Sequence, residues 1–131
     1  MEYELLVNFS LGQMKISRKG VVLSSLPSVM SLGLFYSLAL HMHQSLGTWP
    51  ASIGERGFPR LLVIHANLCV YFFMALVLSG VFIVPAIIAV CLATPGWRHS
   101  VPYFVLYVML FFACWGVMQF APEPFLNWWR D

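Results

Sequence analysis

Three long stretches of the chain lack lysine, arginine, aspartate and glutamate: Val21–His43, Leu61–Ala93 and Val101–Ala121. Such runs predict three membrane-spanning α-helices, because a helix rising 1.5 Å per residue needs about 20 apolar residues to cross about 30 Å of hydrocarbon. The first run, at 23 residues, and the third, at 21, each fit one crossing. The second, at 33 residues, would measure about 50 Å as a straight helix. Splitting it in two leaves halves that are too short, so the pattern predicts one tilted helix kinked near Gly80 and Pro85. The fold class is therefore an all-α integral membrane protein, a single three-helix domain over residues 1–131.

Residues 1–20 mix Leu5, Leu6, Val7, Phe9, Leu11, Met14 and Ile16 with Glu2, Glu4, Lys15, Arg18 and Lys19. That mixture suits a short interfacial segment. Ser37 and Ala39 meet the small-residue rule for signal cleavage, but the apolar stretch is long and its leader carries two acids, so the first run is expected to remain uncleaved. Pro27 is expected in the first turns of helix 1, where its missing N–H is cheap. Ser24 with Ser28, and Gly33 with Ser37, have the small-xxx-small spacing that lets another helix come close.

Composition agrees with the pattern: 60% of residues are hydrophobic and 9% charged, against about 25% charged in soluble proteins. Seven basic and five acidic residues are too few and too scattered for a nucleic-acid partner. Lys15, Arg18 and Lys19, with Arg98, put four basic residues on the side of the N-terminus, against Arg56, Arg60 and Arg130 on the other. The positive-inside rule then places the N-terminus in the cytoplasm of a membrane taken, from the chain's compactness, to be bacterial and inner. Cys69, Cys91 and Cys114 lie inside apolar runs without metal-ligand spacing and read as packing residues.

Three crossings put the 44–60 loop and the C-terminal tail on one face, and the chemistry-bearing residues collect there. His41 and His43 end helix 1 and His65 begins helix 2. The loop and tail add a possible polar cap of Trp49, Glu55, Arg56, Arg60 and Glu123, with Glu55 and Arg56 placed to pair with Arg60, Glu123 or Arg130. Gly47 is expected to cap helix 1 and Pro59 to start helix 2. His65 with either His41 or His43 has ligand character, because imidazoles on adjacent antiparallel helices can clamp a b-type haem or a metal ion, or bind a quinone. His41 and His43 lie about 200° apart around a helix, so at most one can face His65. Histidines at a membrane interface that only bind water or backbone are the plainer expectation.

No charge lies within the runs, which removes the usual residues of a proton relay, ion path or voltage sensor. Phosphate-loop, dinucleotide, GxSxG and HExxH motifs are absent from the sequence, so no catalytic residue and no metal site is assigned. The expected function is that of an accessory, assembly or interaction subunit whose partners are the bilayer and other membrane helices or a second copy. The alternative is a haem- or quinone-binding anchor of a redox complex, and a third class is a lipid-acting enzyme at the polar cap.

Overall fold

A computed structural model describes residues 16–50 and 57–131; most of the expected interfacial segment, together with Glu55 and Arg56, lies outside the described residues. Among the described residues five α-helices follow in order: α1 (Arg18–Leu46), α2 (Arg60–Leu78), α3 (Val84–Ala93), α4 (Val101–Met118) and α5 (Glu123–Arg130). A π-helical turn, Ser79–Ile83, joins α2 to α3, and a 3-10 helix, Pro95–Ser100, precedes α4. Three of the resulting rods, Arg18–Leu46, Arg60–Ala93 and Pro95–Met118, are long and apolar enough to cross a membrane.

The first helix begins three residues before the apolar run and ends three after it. Gly47, in the left-handed conformation at φ 69°, terminates it as expected. This longer helix moves Pro27 out of the first turns and into its interior, where it leaves the Leu23 carbonyl without its helical donor. Nearby serines bond back to other carbonyls: Ser24 Oγ donates to Gly20 at 2.7 Å and Ser25 Oγ to Val22 at 3.1 Å.

The second rod is interrupted where its length and Pro85 predict. Pro85 cannot donate and its ring crowds the carbonyl four residues back. Immediately before it the helix widens, and the Val84 N–H reaches the Ser79 carbonyl five residues away. Tyr107 of α4 holds this turn from outside through a short hydrogen bond to Ser79 Oγ.

Helix α1 packs against both α2 and α4. Its buried residues Ser28, Ser31, Phe35, Leu38 and Met42 recur every three or four positions and form one inward stripe, with Ala39 beside it. Ser28 thus belongs to an internal packing face, whereas Gly33 does not: a Cβ added there would meet nothing within 4 Å. The close approach occurs instead at Gly20, where an added Cβ would lie 2.5 Å from the Tyr103 ring. Tyr103 also accepts the Ser17 N–H at 2.7 Å, and Tyr36 donates to the Val117 carbonyl at 2.8 Å, so tyrosines pin α4 to α1 near both ends.

The tail after α4 is a fifth helix rather than an irregular segment. Pro124 stands in its first turn, Glu123 suits the positive end of its dipole, and Arg130 suits the negative end. Phe125, fully buried, lies 5.0 Å from the Phe35 ring, and Trp129 lies 5.2 Å from the same ring on its edge. Phe35, Leu38, Met42, Leu62, Ala66 and Phe125 join one cluster at this end of the bundle. By contrast, only 17% of the apolar window of Arg60–Ala93 and 6% of that of Pro95–Met118 are buried.

Replacing Phe125 by Ala should lower the stability of the detergent-solubilised protein by about 3–5 kcal/mol, as large-to-small changes in a closed core do. Phe120→Ala, at a side chain 87% exposed, should change it by less than about 0.5 kcal/mol. Paired thermal or denaturant unfolding curves check the contrast.

Candidate functional site

The end of the bundle that holds α5 also holds His41, His43 and His65. Ser37 and His41 lie one turn apart on α1, and His65 and Cys69 one turn apart on α2, so both pairs enter the seam between these helices. His41 Nδ1 and His65 Nδ1 are 2.9 Å apart, and Ser37 Oγ lies 3.1 Å from His65 Nε2. Ser37 Oγ also reaches the Leu34 carbonyl at 2.9 Å, and Cys69 Sγ donates to that same carbonyl at 3.4 Å.

Proton counting limits what this chain of groups can do. With the Ser37 hydroxyl donating to Leu34, Ser37 accepts from His65 Nε2–H, His65 Nδ1 accepts from His41 Nδ1–H, and His41 Nε2 is left as an outward acceptor. With the order reversed, Ser37 donates to His65, His65 to His41, and His41 presents an outward N–H. His41 Nε2 has no partner among the described residues and is the group through which the chain would meet a ligand.

His41, and not His43, is the residue that meets His65. His43 turns the other way and stacks on Trp49 with ring centroids 4.6 Å apart. Trp49 then reaches Phe125 at 6.2 Å, and Phe58 reaches Trp128 at 5.9 Å, so loop and tail close over the bundle end through aromatic rings. Arg60 begins α2 and Glu123 begins α5, both exposed and without an ion-pair partner among the described residues. Arg130 instead hydrogen-bonds the neutral Gln119 side chain. Glu55 and Arg56 lie outside the described residues.

The histidine contact is too close for a haem between the rings. An iron held by both would separate the coordinating nitrogens by about 4 Å, twice a metal–imidazole bond of about 2 Å. Among the described residues no group of three or more His, Cys, Asp or Glu converges on a metal position. A ligand with a hydroxyl or carbonyl at the interface, such as a quinone, would address His41 Nε2 without parting the rings.

Two features had no role assigned from the sequence: Asn67, which stands out there as a polar residue within the second apolar run, and a cleft. Asn67 stands on the outward face of α2 with no hydrogen-bond partner among the described residues, in line with Ile64 and Tyr71, which are 55% and 72% exposed. The signal was its place two turns inside an apolar run, seven residues from Arg60. The second feature is an apolar cleft of 630 Å³ between α2 and α4, which depends on helix divergence that no local pattern reveals.

No protein-family model, curated protein or solved structure matches this chain.

Replacing His65 by Leu removes the partner of His41 and one of the two partners of Ser37. The expected cost is about 1–3 kcal/mol of stability. The His41→Leu/His65→Leu double variant should lose less than the two single variants summed, because neither polar ring is then left alone. Unfolding curves for the three variants check this coupling.

Proposed function

We propose that the chain is an accessory or assembly subunit that works by packing its outward helix faces against other membrane helices. The observation that carries this reading is Asn67. Its amide lies about 10 Å along the helix from Arg60, on a face otherwise made of Ile64, Tyr71 and Met74. On an otherwise apolar, outward face next to the lipid head groups, an unpartnered amide gains a hydrogen bond when another membrane helix supplies a partner. The shallow burial of the second and third rods leaves apolar surface on which neighbouring helices can pack.

The proposed setting is a bacterial inner membrane with the N-terminus in the cytoplasm. The basic residues Arg18, Lys19 and Arg98 at the ends of the rods support that orientation. The loop and α5 then face the periplasm.

Purification in mild detergent, with mass measured by light scattering and co-eluting chains identified, tests the proposal. The expected result is a dimer or a defined complex, weakened about three- to thirty-fold by Asn67→Leu, which matches about 0.6–2 kcal/mol for an interhelical amide contact. A strictly monomeric, partner-free protein contradicts it.

A further inference from the structure

Because α1 packs on both α2 and α4 while those two diverge, a cleft remains between them. It is lined by Phe35 of α1, Phe73 and Val77 of α2, and Phe111 and Trp115 of α4, with the Phe73 and Phe111 rings meeting at 5.9 Å, and Trp129 of α5 lies at one end. Arg130 and Gln119 stand at that same end, next to the aromatic cap. We propose that this cleft binds one anionic phospholipid, one of its two acyl chains in the aromatic trough and its phosphate on Arg130.

The dimensions favour an acyl chain over a partner helix. The α2 wall runs from Val70 to Val81, about 16 Å of helix rise and so about half of the 30 Å hydrocarbon core. That is the depth of one leaflet. A transmembrane helix must cross the full thickness, and at about 10–12 Å in diameter a single turn of it takes up about 500 Å³. A 630 Å³ cleft therefore accommodates little more than one turn, whereas it lies within the roughly 300–1,000 Å³ typical of small-molecule sites.

Charge selects the headgroup. Guanidinium carries five N–H donors in a fork suited to phosphate. The hydrogen-bond partner of Arg130 is the neutral Gln119 amide, and no carboxylate among the described residues neutralises it. A positive group at the mouth of an apolar trough, at the interfacial end of the bundle, matches a lipid with a negative head and a hydrocarbon tail.

Native mass spectrometry of the full chain in detergent, with equal phosphatidylglycerol and phosphatidylcholine of the same chain length, tests the assignment. One retained phosphatidylglycerol per chain is expected, in preference to phosphatidylcholine. Arg130→Gln should cut that preference about five-fold, the worth of one basic side chain near an anionic surface, and Arg130→Lys should restore part of it. Val77→Trp, which fills the trough away from Arg130, should reduce retention of both lipids, and inorganic phosphate should not compete. Equal retention of the two lipids, displacement by inorganic phosphate, or a preference that survives Arg130→Gln would overturn the proposal. So would a Val77→Trp variant that breaks a protein complex while lipid retention is unchanged, since that result assigns the cleft to a helix.

Discussion

The inward stripe of α1 is the interaction on which the rest of the molecule depends. Ser28, Ser31, Phe35, Leu38 and Met42 form the inward stripe of the helix that packs on both α2 and α4. Small residues at the start of the stripe let α4 approach until Gly20 touches Tyr103. Larger ones at its end fill the space beneath α5. One helix with a graded stripe thus produces a bundle that is closed at one end and open along part of its length.

The location of the closed end follows from the solvent. Inside hydrocarbon, burying leucine against leucine expels no water, so helices associate through close packing and hydrogen bonds. The tyrosine bonds to Ser17 and Val117, the Ser79–Tyr107 bond and the His41–His65 pair are contacts of that kind. At the membrane surface water is present again and apolar burial regains its driving force. There α5 lays Phe125, Leu126 and Trp129 onto the bundle, with Trp49 and Phe58 folded in from the loop.

The rods and their breaks were legible because each has a local cause: run length, Gly47 at a left-handed helix end, and Pro85 behind the π turn. The ends of the rods were less so, since α1 includes Arg18 and Lys19, whose long side chains can extend toward water from a helix end. Helix α5 has eight residues, too few to stand out by run length, although Pro124 at its start and the four-residue spacing of Phe125 and Trp129 mark it. At the histidine cluster, angular spacing showed that only one of His41 and His43 could meet His65. Which one depends on how α1 is rotated, and the inward stripe from Ser28 to Met42 shows that rotation only once the helices are packed. Spacing did not show which way the Gly33–Ser37 face points: both residues are exposed, with nothing within 4 Å of a Cβ at Gly33, and Ser37 reaches His65 from that face.

The central claim is that three crossings bring the loop and the tail to one side of the membrane, opposite the Pro95–Ser100 turn. Single cysteines at Thr48, His99 and Asp131 in a chain with Cys69, Cys91 and Cys114 replaced, labelled with a membrane-impermeant maleimide in oriented vesicles, test it most directly. Thr48 and Asp131 should label from the same side and His99 only from the other. Labelling of Thr48 and Asp131 from opposite sides would contradict the account.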